Sequence, residues 1–109
     1  MYQLKNGVTL HVTPEIEKML SVIYPIFRAF FLPVVITSGV DGPHRRESLH
    51  YKFRAIDIRK NFLCGADVCT WSMHERTILD SMRINFSMKE YPVKIVNEQD
   101  HLHIEWNGI

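Results

Sequence analysis

The stretch "SLHYKFRAIDIRKN" (48–61) sets an imidazole, His50, ahead of a carboxylate, Asp57, and "DHLHIEW" (100–106) adds Asp100, His101 and His103. These donor types are those of a catalytic zinc site, which uses three protein ligands, commonly imidazoles with a carboxylate, and keeps a fourth position for water. His50, Asp57 and His103 make such a set. A general base must then stand beside the water, within hydrogen-bond reach, to take its proton as it attacks a carbonyl. Asp100, at the turn into the strand that carries His103, is the candidate base, with Glu98 as second choice. His101 shares a strand face with His103 and could stabilise an oxyanion or hydrogen-bond a ligand. The same residues also fit ordinary loop polarity and a solvated strand face, so residue types alone leave both readings open.

The elements that must position these groups follow from periodicity. In "HLHIEW", alternation puts Leu102, Ile104 and Trp106 on one face and His101, His103 and Glu105 on the other. With "YPVKIV" before it and the polar "NEQD" between, the end of the chain reads as a hairpin. "RAIDIR" reads as a strand with Ala55 and Asp57 on one face, "PVVITSG" as a buried strand, and "VDGPHRRE" as the loop that leaves it. "GVTLHV" alternates like a short strand. After it, Thr13 caps a helix whose first turn holds Pro14, Glu15 and Glu17, and whose core stripe is Ile16, Met19, Leu20, Ile23, Phe27 and Phe30. Pro25 is expected to kink or split that helix. Ser72 and Glu75 have capping-box spacing ahead of Ile78, Leu79 and Met82, which predicts a further helix. The expectation is a single α+β domain over residues 1–109, with a mainly antiparallel sheet and two or three helices.

Composition narrows the classes. With 46% apolar and 23% charged residues in 109, the chain is an ordinary globular domain, neither disordered nor fibrous. A net charge of +1, with Arg45, Arg46, Arg54, Arg59 and Lys60 interleaved among acids and apolar residues, argues against nucleic acid as a partner. The apolar run from Met19 to Val40 is interrupted by Arg28 and two prolines, so no membrane span is expected. "MYQLKNGV" lacks the charged head and apolar run of a secretory signal. Cys64 and Cys69, in "CGADVC", do not have zinc-knuckle spacing and read as two free thiols, with a local disulfide as the alternative.

Taken together, "ITSG", "SLHYKFRAID" and "DHLHIEW" resemble the zinc D-alanyl-D-alanine carboxypeptidase and L-alanyl-D-glutamate endopeptidase family, which includes VanY-like enzymes and phage endolysins. The family pattern, Ser-x-His-x-x-Gly-x-Ala-x-Asp with a carboxylate three residues before a late histidine, is met at Ser48, His50, Ala55, Asp57, Asp100, His101 and His103. The resemblance implies the small fold shared with the hedgehog signalling domain, Zn2+ held by His50, Asp57 and His103, Asp100 as base with His101 assisting, and Ser48 orienting its neighbours. It further implies hydrolysis of amide bonds in peptidoglycan stem peptides by a monomer made in the bacterial cytoplasm. Such a chain would reach the wall after holin-type release or as part of a virion.

Two positions depart from the pattern. "SGVD" replaces the family's "SGYR", so that His44, Arg45 or Arg46 would have to supply the missing cation, and Phe53 occupies the glycine slot. The alternative expectation is a non-enzymatic domain of the same fold that binds zinc or the cell wall, or builds a virion.

Overall fold

The computed structural model describes residues 2–8, 10–38, 54–60 and 70–108. Within these residues, five strands and two helices follow in the order β1 (Tyr2–Leu4), α1 (Pro14–Ala29), β2 (Val34–Ser38), β3 (Ala55–Arg59), α2 (Thr70–Met88), β4 (Val93–Asn97) and β5 (His101–Trp106). The strands form one sheet in the order β1-β2-β3-β5-β4, in which only β1 and β2 run parallel. The domain is thus α+β with a mainly antiparallel sheet.

Helix α1 begins where the sequence sets its signals. Thr13 accepts the Ile16 amide at 3.3 Å, Pro14 needs no amide partner in the first turn, and Glu15 and Glu17 face the positive end of the helix dipole. The side-chain cap contributes about 1 kcal/mol. Pro25 does not split the helix, which runs unbroken to Ala29. Proline removes a single ladder bond, and the buried stripe of Ile16, Met19, Leu20, Ile23 and Phe27 holds the turns on either side of it. Phe30 is only half-buried and sits against the His74 ring at 5.1 Å.

Both helices end on a non-glycine residue in the left-handed conformation, Phe31 and Glu90, each with φ 58°. In α1 the Phe31 amide donates to Arg28 O and the Leu32 amide to Phe27 O, both at 3.0 Å. In α2 Glu90 donates to Ser87 O and Tyr91 to Phe86 O. These bonds satisfy the terminal carbonyls, at a strain of about 1 kcal/mol for each side chain with positive φ.

Helix α2 starts earlier than its capping-box spacing suggests. Ser72 already lies within the helix, and Glu75 accepts from Asn97 Nδ2 at 2.9 Å. Asn97 in turn accepts from the buried Lys60 at 2.6 Å, so that the exit of β3, the end of β4 and the start of α2 are tied together.

The expected strand at "GVTLHV" is not formed among the described residues of that segment; the first strand is Tyr2–Leu4. Gly7, with φ +84°, turns the chain directly after β1, and the Val8 amide donates to Lys5 O. The chain then crosses to α1, which forms the connection that a parallel β1–β2 pair requires.

Ile56 and Ile58 of β3, Leu102 and Ile104 of β5, and Val34 and Ile36 of β2 join the α1 stripe and Ile78, Leu79, Met82 and Phe86 of α2 in one core. Each such fully buried side chain contributes about 1.5–3 kcal/mol. The helices therefore cover one face of the sheet, and alternation turns the polar positions of β3 and β5 to the other. Among the described residues no helix is long and apolar enough to cross a membrane.

Candidate functional site

Strands β3 and β5 are antiparallel neighbours, in register Asp57 to His103 and Arg59 to His101. The period of two that buries Ile56, Ile58, Leu102 and Ile104 sends Asp57, Arg59, His101, His103 and Glu105 to the opposite face. Residues far apart in sequence thus meet on one polar surface whose placement is fixed by the core beneath it.

There, carboxylates and imidazoles alternate in a continuous line. Asp100 Oδ1 lies 2.6 Å from His101 Nδ1, and His101 Nε2 lies 3.7 Å from Asp57 Oδ2. Asp57 Oδ1 then lies 2.9 Å from His103 Nδ1, whose ring reaches Glu105 Oε1 at 3.6 Å from Nε2. The inner members are shielded, Asp57 to 13% exposure and His103 to 20%, whereas Asp100 at 77% stands in solvent.

The line tunes its own charges. Its hydrogen bond to Asp57 raises the His103 pKa above the ordinary imidazole value, with the charges of Asp57, Glu105 and Glu98 adding to the effect and burial opposing it. The hydrogen bond from His101, and then its charge, hold Asp100 below the usual carboxylate range.

A hollow of about 350 Å³ opens beside this line, bordered by Asp57, Asp100 and His101 and by Thr37 and Ser38 of β2. A bulge shapes its β2 wall. Ile36 pairs with Ile58 but Ser38 pairs with Asp57, so two steps on β2 match one on β3 and Thr37 is the extra residue. The bulge aligns Ser38 with the carboxylate, and the Thr37 hydroxyl donates to Asp57 O at 3.4 Å.

Of the expected zinc ligands, Asp57 and His103 are brought together; His50 lies outside the described residues, as do Ser48, His44, Arg45, Arg46 and Phe53, and Cys64 and Cys69. Among the described residues no group of three or more His, Cys, Asp or Glu side chains is arranged to hold a metal. Asp57 and His103 nonetheless have the donor types of a zinc pair. Two tetrahedral ligands stand roughly 3.4 Å apart at ordinary zinc bond lengths. The observed 2.9 Å would therefore have to widen by roughly 0.5 Å, with loss of the Nδ1 proton, for an ion to sit between them.

Asp100 and His101 fall beside this pair, as the sequence suggests. Glu98 is exposed in the β4–β5 turn, and its charge is felt at His103. Three contributors escape the motif: Glu105, Thr37 and Ser38. Alternation in "HLHIEW" already places Glu105 beside His103, but nothing local in "VITSG" announces a bulge. No family model matches the chain, and comparison with curated proteins and with solved structures likewise finds no match.

Proposed function

We propose that the protein is a zinc-dependent peptidase that hydrolyses amide bonds in the peptide stems of bacterial peptidoglycan. His50, Asp57 and His103 would hold the metal, and Asp100 would act as the base. The observation that carries this reading is the meeting of Asp57 and His103 across the β3–β5 seam, with Asp100 and His101 on the same hollow. The substrate class rests on the likeness of "SLHYKFRAID" and "DHLHIEW" to the family pattern.

Bound zinc would polarise the scissile carbonyl and lower the pKa of its water towards about 7. Asp100, kept ionised by His101, has the charge state that a proton acceptor needs and the exposure that a substrate must reach. His101 bridges base and ligand and so orients both. Asp57 lies on a strand anchored by Ile56 and Ile58 in the core, which suits a site that must hold its geometry.

The test is to measure bound metal in the purified protein, then to digest purified peptidoglycan with and without a chelator and identify the new termini. About one zinc per chain with chelator-sensitive release of amino groups is the expected result. Zinc without cleavage on several wall types would sink the peptidase and leave a non-enzymatic zinc domain. Absence of zinc would leave a wall-binding or virion module.

A further inference from the structure

Another hollow, of about 590 Å³, lies on the helix-covered side of the sheet, at its β1 edge. Tyr2 of β1 and Val34 of β2 border it, paired in register and packed on the same core as α1. From α1 come Glu17, Ser21 and Pro25, one turn apart along an exposed ridge, together with the buried Leu20 and the half-buried Tyr24. The volume falls within the roughly 300–1,000 Å³ of small-molecule sites, and the walls share their mainly apolar character.

The polar groups on these walls favour one kind of ligand. Among the described lining residues there is no lysine, arginine or histidine. Glu17 brings a carboxylate, and no described cation lies within ion-pair distance of it. Its neighbour Lys18 is turned towards other partners, with Nζ 5.6 Å from the Trp106 ring centroid and 5.9 Å from that of Tyr91. Pro25 has no amide, so the Ser21 carbonyl four residues earlier lacks the ladder donor of an ordinary helix interior. The Ser21 hydroxyl gives its proton to Lys18 O at 2.6 Å, which leaves its oxygen as an acceptor. Tyr2 and Tyr24 add ring faces, and the negative quadrupole of such a face attracts a cation.

An apolar wall set with a carboxylate, a freed carbonyl and aromatic faces complements a cation that donates hydrogen bonds and carries an apolar body. We infer that this hollow is a binding site for a small primary amine with an aromatic or branched aliphatic body. The ammonium group sits at the ridge of Glu17, Ser21 and Pro25, and the body packs on Leu20, Val34 and the tyrosines. The site lies across the sheet from Asp57 and His103 and stands independently of the peptidase reading. Its ligand touches both α1 and β1, and so ties the short edge strand to the helix.

Three probes with one ring system separate charge from burial: tryptamine, tryptophol and indole-3-propionate, titrated into the full chain by calorimetry and by NMR. Tryptamine should bind about fivefold more tightly than tryptophol, in line with a charge pair at a partly exposed site, and indole-3-propionate more weakly than both. Ring resonances of Tyr2 and Tyr24 should move, and those of His101 and His103 should not. Glu17→Gln should erase the preference for the amine over the alcohol. Pro25→Ala returns an amide to the Ser21 carbonyl, so it should raise the thermal midpoint while weakening tryptamine about threefold. A loss of fold would move those two readouts together instead. Ser21→Phe, at an exposed position, should fill the hollow and abolish binding, with the fold checked by circular dichroism. Equal affinity for the three probes, tightest binding of the acid, or binding that leaves Tyr2 and Tyr24 unmoved overturns the site. So does the failure of tryptamine, phenethylamine and isoamylamine all to bind at up to about 10 mM.

Discussion

Across the β3–β5 seam, His103 Nδ1 lies 2.9 Å from Asp57 Oδ1, and this one bond fixes the tautomer of the ring. An ionised carboxylate can only accept, so Nδ1 carries the proton in the metal-free protein. A metal that takes Nδ1 and Asp57 together must displace that proton.

Removing either partner should therefore abolish metal binding. His103→Ala and Asp57→Ala are expected to weaken zinc affinity by at least about a hundredfold, measured by competition with a coloured chelator. Asp100→Ala should keep the metal and lower turnover by about 10²–10⁴-fold, as loss of a positioned base does. Full activity in Asp100→Ala would transfer the role to Glu98.

Zinc affinity and metal-free stability should respond to pH in opposite directions. The folded pKa of His103 is raised above its ordinary value of 6.5, chiefly by the bond to Asp57. Its contribution to stability is thus complete below about 6.5 and is lost as pH rises through the higher folded value. In chelator-treated protein the urea midpoint should fall across that window, and His103→Gln should flatten the fall. Zinc affinity should rise over the same window, because binding releases the same proton.

Asn97→Ala is expected to destabilise the fold by about 1–2 kcal/mol in urea titration, since it removes a bond to the buried Lys60 and another to Glu75. Asn97 is also the main cause of the lowered Glu75 pKa. That contribution to stability is present above the unfolded value and disappears as pH falls through the folded one. The variant should therefore lose less stability on acidification than the parent.

The left-handed helix ends offer a gain in stability. Phe31 is 95% exposed with φ 58°, so Phe31→Gly relieves strain with almost no packing to lose. It should raise the urea midpoint by the equivalent of about 0.5–1 kcal/mol, and Glu90→Gly should do the same for α2. No change in either variant would show that the flanking hydrogen bonds already relax the backbone.

The parts of the fold that the sequence makes legible are those governed by a period or a cap. The α1 stripe, the alternation in "AIDIR" and "HLHIEW", and the Thr13 cap all signal locally, and each lies where it is expected. The parallel pairing of β1 and the bulge at Thr37 depend on contacts between distant segments, which no window of residues contains. At Pro25 tertiary demands outweigh local preference, because the buried stripe carries the helix past the proline, while α2 starts ahead of Ser72 and Glu75 bonds to Asn97 of β4. At the site, residue types suggest Asp57, His103, Asp100 and His101. Their association arises from the β3–β5 register, and Arg59 joins them by the same register.

The seam has a further consequence for how the chain can be followed. Asp57 and His103 are 46 residues apart, and the segment between them must close before the two side chains meet. A collapsed chain that has formed only the β4–β5 hairpin holds His103 and Glu105 but not Asp57. Under the proposed ligand set, zinc uptake during refolding then becomes a clock for the docking of β3, separable in time from hairpin formation by stopped-flow mixing with a metal-sensitive dye.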